Sequence, residues 1–207
     1  MHSRRRLGCA LALCASLFAA PQSFATTVKP MNITDLVDRS ATIVAGRVEK
    51  VTDGFDAKGL PYTEVTVRVL DRFRGAAGDT YTFRQFGLSA PRTLPNGKVY
   101  LGRPEGWPTW KAGEVNIVFL YPKARVTGFQ TTVGLGYGKL GMGNGVAVNS
   151  FDNVGLFSTA TVDRSKLSAD ERRMFDAKNG PVNADTLRGY LRRTVSPAST
   201  PESTHAH

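Results

Sequence analysis

Tyr62-Thr63-Glu64-Val65-Thr66-Val67-Arg68-Val69-Leu70-Asp71-Arg72-Phe73 sets Val65, Val67, Val69 and Phe73 on one side of an extended chain and Glu64, Thr66, Arg68 and Arg72 on the other. A period of two with β-branched residues on the apolar side predicts a strand with one buried and one wet face. Upstream, Ala41 to Val51 is a second β-branched run, and Asp53-Gly54-Phe55-Asp56-Ala57-Lys58-Gly59 supplies turn residues between the two, so they are expected to form an antiparallel hairpin. Downstream, Arg74 to Asp79 is a second turn leading into a third strand, Thr80 to Phe86.

Working outward, Asn32 caps a short helix that ends near Ser40, with Ile33, Leu36 and Val37 on its apolar stripe. Val115 to Tyr121 is the most apolar run and is expected at the centre of the sheet. Residues 125–157 read as further strands, including a type I′ hairpin at Asn144-Gly145. Ser168-Ala169-Asp170-Glu171 is a capping box opening a helix that stops at Asn179-Gly180-Pro181. Asn183 caps the last helix, with Leu187, Tyr190 and Leu191 inside and Arg188, Arg192 and Arg193 outside. Strands followed by helices predict an α+β fold: a small antiparallel β-barrel, OB-like, followed by two C-terminal helices, with a sandwich as the alternative.

The ends have a different character. Arg4-Arg5-Arg6, the apolar run Leu7 to Ala20 and the small residues of Ser23-Phe24-Ala25 form the three regions of a secretory signal peptide over residues 1–25. Leu11-Ala12-Leu13-Cys14 is a poor lipobox because Leu13 is large, and Ser3-Arg4-Arg5 lacks the continuation of a twin-arginine signal. Residues 26–195 are expected to form one domain in the periplasm or outside the cell, and residues 196–207 a disordered tail. No later stretch has the roughly 20 apolar residues of a transmembrane segment. The chain carries a formal net charge of +10, of which Arg4, Arg5 and Arg6 contribute three units.

Chemistry is limited by subtraction. Cys9, Cys14 and His2 fall within the expected signal, and His205 and His207 within the tail, so the folded body holds neither thiol nor imidazole. Ser-His-Asp and Cys-His catalysis, thiolate metal sites and nearly all zinc hydrolases need one or the other. No cofactor and no metal site is expected. Gly136-Tyr137-Gly138-Lys139-Leu140-Gly141 matches the letters of a dinucleotide fingerprint, but turn and strand residues follow where a helix N-terminus must stand. Its glycines, with Gly134, Gly143 and Gly145, are read as permitting tight bends or close packing.

The run Ala41-Thr42-Ile43-Val44-Ala45-Gly46-Arg47-Val48, then Thr63 to Val67 leading into Phe73-Arg74-Gly75 and Gly78-Asp79, then Gly113-Glu114-Val115 opening Phe119-Leu120, resembles a strand pattern of uncharacterised exported bacterial proteins. The resemblance extends over residues 35 to 160 and brings no assigned activity. The pattern is also similar to the netrin/tissue-inhibitor-of-metalloproteinase style of barrel. There the inhibitory chemistry uses an N-terminal cysteine to reach zinc, whereas the mature terminus expected here is Thr26.

Two groups of residues are candidates for partner binding. Gly87 to Gly113 is too long for a mere connector, and it carries Tyr100, Trp107 and Trp110. Rigid aromatics on a loop bury much area at low entropic cost, although the tryptophans could equally plug an open end of the barrel. Arg68, Arg72 and Arg84, with Arg47, form a basic sheet face that could dock an anionic surface or acidic partner, or be a solvated face laced with ion pairs. Glu49 and Glu64 interrupt it, so nucleic-acid binding is not expected. The reading is therefore an exported, non-catalytic domain that binds a protein or cell-envelope component through the 87–113 loop and the adjoining barrel rim. The alternatives are a carboxylate-dependent hydrolase of envelope polymer, for which Glu105, Glu114, Asp152 and Asp163 are scattered candidates, and a protease inhibitor.

Overall fold

The computed structural model describes residues 29–76, 78–94, 96–100 and 102–195. The expected signal peptide and C-terminal tail, with Cys9, Cys14, His205 and His207, lie outside the described residues. In chain order the elements are α1 (Ile33–Arg39), β1 (Thr42–Phe55), β2 (Pro61–Arg74), β3 (Thr80–Phe86), β4 (Arg92–Thr93), β5 (Val99–Tyr100), β6 (Val115–Leu120), β7 (Lys139–Gly143), β8 (Val146–Val148), α2 (Ala169–Asp176), β9 (Val182–Asn183) and α3 (Ala184–Thr194). The fold is α+β, dominated by one antiparallel sheet of seven strands in the order β3-β2-β1-β6-β7-β8-β9. The β1–β2 hairpin and the central place of β6 agree with the sequence reading. Asn144 and Gly145 both have positive φ, 51° and 77°, as a type I′ turn between β7 and β8 requires.

The sheet is not closed into a barrel. It curls so far that Leu120 of β6 bridges to Thr132, while the Gln130 amide donates to the Arg84 carbonyl of β3 at 2.8 Å. Residues 125–138 and 149–157, expected as strands, are instead turns, irregular chain and a 3-10 turn at Leu135–Gly138. Left-handed φ values at Gly134, Leu135, Asp152 and Asn153 break any extended run there.

Two cores result. On one face Ile43, Ala45, Ile117, Phe119 and Leu140 pack against Ile33 and Leu36 of α1, Met174 and Phe175 of α2, and Leu187, Tyr190 and Leu191 of α3. Inside the curl, Val44, Val48, Val65, Val67, Phe83, Val118 and Leu120 pack around Trp110. Phe73 does not share a core with Val65 and Val67, as the alternation of β2 implied. The β1–β2 register slips between Ala45 and Gly46, where Leu70 is left unpaired. One extra residue inverts the alternation beyond it, so Phe73 joins the helix-covered core. At this irregularity a Cβ on Gly46 would lie 2.4 Å from the Arg68 carbonyl oxygen, which only glycine avoids.

The same inversion turns Asp71 toward α3. Its carboxylate accepts from Arg188 Nε at 2.5 Å and from Arg192, and Arg193 pairs with the buried Glu171 of α2. Of the α3 arginines read as an outward face, Arg188 and Arg192 therefore clamp α3 to the sheet, and Arg193 clamps it to α2. Asn32 caps α1 as expected, in a capping box that Asp35 completes, and Ser168 forms the capping box expected of it with Glu171. Helix α2 ends at Asp176, three residues before the predicted stop.

Candidate functional site

The 87–113 excursion contains the small β4–β5 hairpin and then returns across the mouth of the curled sheet. Its start is stapled by Asp53 at the far end of β1. That carboxylate accepts from the Ser89 amide at 2.9 Å, the Ser89 hydroxyl at 2.6 Å and the Thr63 hydroxyl at 2.8 Å. Burial pushes the Asp53 carboxyl up, but these hydrogen bonds together outweigh it and hold the group below the ordinary aspartate value.

The two tryptophans have different places. Trp110 is buried, edge-on to Phe83 with ring centroids 5.2 Å apart, and its indole nitrogen donates to Gln85 Oε1 at 3.2 Å. It is the plug of the inner core. Trp107 is half-buried, resting edge-on against Phe86 at 6.2 Å, with one side of the indole bordering open space. Tyr100 is half-buried against Phe55, away from that space.

Nor does the basic face present free cations. Arg68 pairs with Glu49, Arg72 with the Gly78 carbonyl and Asp79, and Arg84 with Glu64 while stacking over Tyr62. Arg47 donates to the Gly113 carbonyl at 2.8 Å. These guanidinium groups are engaged within the chain, which is the arrangement of a solvated, ion-paired sheet face.

A groove of about 540 Å³ lies between the returning loop and the β6–β7–β8 part of the sheet. Gly106 to Thr109 contribute one side, Asn149, Ser150 and Phe151 another, and Asn116, Gly141 and Val148 the floor. A second trough of about 520 Å³ shares Glu114, Asn116, Gly141 and Val148 with it and runs on past Gly143 and Val146. Asn116, Gly141 and Val148 are successive register partners across three strands, so their side-chain positions lie in one row on the groove face.

The glycines of the fingerprint-like segment divide here. A Cβ on Gly138 would lie 2.3 Å from the Val133 carbonyl oxygen, and one on Gly136 would lie 2.3 Å from Ser150 Oγ, so close packing is the reason for glycine at both. At Gly141 the nearest atoms to a Cβ would be 3.7 and 3.9 Å away, and at Gly143 none comes within 4 Å. Neither residue has a positive φ. No steric or conformational demand accounts for these two strand glycines; the bare backbone of Gly141 forms part of the groove floor, and that of Gly143 lines the second trough. Glycine within a strand costs about 0.5–1 kcal/mol and often marks a close approach by another molecule.

Polar groups converge on the same space. Asn116 is 1% exposed and Asn149 6%, and the Nδ2 of each is buried without an acceptor; the Asn149 amide is fixed in that orientation, because its Oδ1 accepts from the Phe151 and Asn153 backbone N–H groups at 2.9 Å. An orphaned buried donor costs about 1–3 kcal/mol. Lys139 donates to the Thr109 carbonyl at 2.5 Å and to Glu114 Oε1 at 2.7 Å, and its ammonium stands 4.6 Å from the centre of the Trp110 ring. Burial drives the Lys139 pKa below the ordinary lysine value, with Glu114 partly opposing. Phe151 is stacked on Tyr137 at 4.4 Å. Glu114 is the one carboxylate lining this groove among the described residues, so it lacks the facing pair of acids that glycoside hydrolysis uses. Of the residues singled out from sequence, Trp107 and Glu114 come together here. Gly136, Lys139 and Gly141 of the fingerprint-like segment join them, though the sequence reading gave its glycines only a packing role, whereas Asn116, Asn149 and Ser150 were missed, because no local pattern announces them.

Among the described residues no helix is long and apolar enough to cross a membrane, and no three His, Cys, Asp or Glu side chains gather as a metal site. Comparison with protein-family models, curated proteins and solved structures finds no match to the chain.

Proposed function

We propose that this protein is an exported, non-catalytic binding domain, acting in the periplasm or outside the cell, that holds a cell-envelope component in the groove between the 102–113 return and β6–β8. The observation that carries the reading is the orphaned amide of Asn116 beside Gly141, a strand glycine on the groove floor that nothing inside the molecule requires. A fold keeps buried unsatisfied donors and a bare strand at a cost in stability when a ligand completes them. The signal-like first 25 residues support export. We also read the curled sheet as an incomplete OB-like barrel, supported by the Leu120–Thr132 bridge and the Gln130–Arg84 hydrogen bond. The 102–113 return then lies over the rim of that barrel.

Co-sedimentation with insoluble envelope from the producing cells tests this. Wild-type protein should pellet with the envelope, while Trp107→Ala and Gly141→Val should stay in the supernatant with melting temperatures near wild type. Equal pelleting of all three proteins would overturn the groove as the binding site.

A further inference from the structure

Resting on that reading of the groove, we infer that its occupant is a linear, uncharged saccharide chain bearing acetamido groups. Four observations converge on this chemistry. The unmet polar groups include the side-chain NH2 of Asn116, so the ligand must bring an acceptor, and a carbonyl oxygen is a strong one. On the walls of the groove itself the charges cancel, because Lys139 and Glu114 are bonded to each other, and in the second trough the Arg47 guanidinium is held by the Gly113 carbonyl, so each charged side chain there has a partner inside the chain. The groove runs on past Gly141 into the second trough, giving an elongated bed rather than a closed pit, as a chain molecule needs.

The fourth observation concerns shape. Trp107 borders the groove with an indole that is only half-buried, and Phe151 is held in place by its stack on Tyr137. Flat apolar faces beside hydrogen-bonding amides suit a pyranose ring, which has an apolar face and a polar rim. Asn116 Oδ1 lies 3.9 Å from the point a Cβ on Gly141 would occupy, so the amide borders the space over the glycine. A half-turn of that amide presents its NH2 there, within reach of an acetamido carbonyl laid across Gly141, with the acetamido methyl toward Val148. A peptide strand is less well served. The groove lies on the face of the sheet, where no free backbone ladder is offered, and strand addition needs an edge.

Calorimetric titration of the purified protein with the β-1,4-linked tetramer of N-acetylglucosamine tests the inference, beside cellotetraose, which has the same linkage without the acetamido groups, and N-acetyl-tetraalanine amide. The expected result is binding of the acetamido sugar, at least ~10-fold weaker binding of cellotetraose for the loss of one or two hydrogen bonds, and no heat from the peptide. Gly141→Val and Asn116→Leu should each weaken the sugar by ~10-fold or more while remaining folded by circular dichroism. Absence of sugar binding would overturn the inference, as would equal binding of cellotetraose or the peptide, or sugar binding unchanged in both variants. Envelope pelleting that still depends on Gly141 when the sugar fails would leave the groove reading standing and remove the saccharide alone.

Discussion

Asn116 of β6 and Gly141 of β7 are register partners, and the asparagine amide borders the space over the glycine, where a side chain would otherwise lie. A nearly fully buried amide without an acceptor beside a strand position without a side chain is a poor arrangement for stability. Replacing Asn116 by leucine, which has the same branching of heavy atoms and can place its larger methyl groups in the open space over Gly141, removes the orphan, and the melting temperature should rise by an amount corresponding to about 1 kcal/mol. Envelope binding should be lost in the same protein. A variant that is both more stable and inactive is the signature of a residue kept for function.

Gly138 and Gly141, three residues apart on one short segment, should respond oppositely to alanine. At 138 the new Cβ meets the Val133 carbonyl at 2.3 Å and forces the backbone apart, at a cost of about 1–3 kcal/mol. At 141 it makes ordinary contacts, and the reduced freedom of the unfolded chain gives a neutral effect or a gain of up to about 1 kcal/mol. Urea denaturation of the two single variants reads both values.

Trp107 and Trp110 separate in the same way. Truncating the buried Trp110 to alanine empties the middle of the inner core and should cost about 3–5 kcal/mol. Truncating half-buried Trp107 should cost about 1 kcal/mol or less. Thermal melts of the two proteins check the difference. Only the second variant is suited to a binding assay, because only there does lost capture report on the groove.

Three carboxylates make stability depend on acid. At Asp53, Asp71 and Glu171 burial pushes the carboxyl up. Hydrogen bonds, from Ser89 and Thr63 to the first and from arginines of α3 to the other two, outweigh that push and leave each below its ordinary value. A carboxyl whose pKa is lower folded than unfolded stabilises above the unfolded value, and that contribution fades as pH falls through the folded one. The melting temperature should therefore hold from pH 7 to pH 5 and decline below about pH 4. Asp71→Asn, which weakens the clamp of β2 to α3, should cost about 1–2 kcal/mol at pH 7 and make the acid decline shallower.

Those contacts also mark what the sequence could and could not disclose. Caps and turns depend on residues within three or four positions, and so Asn32, Asn144-Gly145, Ser168 and Asn183 were legible. Strand alternation was legible until register slips intervened: nothing local announces that Leu70, and then Phe73, is left unpaired, and these slips attend both the passage of Phe73 into the helix-covered core and the meeting of Asp71 with α3. Barrel closure was unreadable for a related reason, since it depends on where β3 ends relative to residues 130–132. Of the groove, the loop and Trp107 stood out by composition. Asn116 was hidden in the most apolar strand. Gly141 and Gly143 looked like their neighbours until the space around each backbone was known.

The most direct test of the central claim is a nuclear magnetic resonance titration that follows the side-chain NH2 resonances of Asn116 as the N-acetylglucosamine tetramer is added. They should shift downfield and saturate, as an orphaned donor acquires a carbonyl acceptor, with asparagine side chains outside the groove unmoved. Shifts that spare this amide, or that fall instead on the paired arginine face of β2 and β3, would contradict the account.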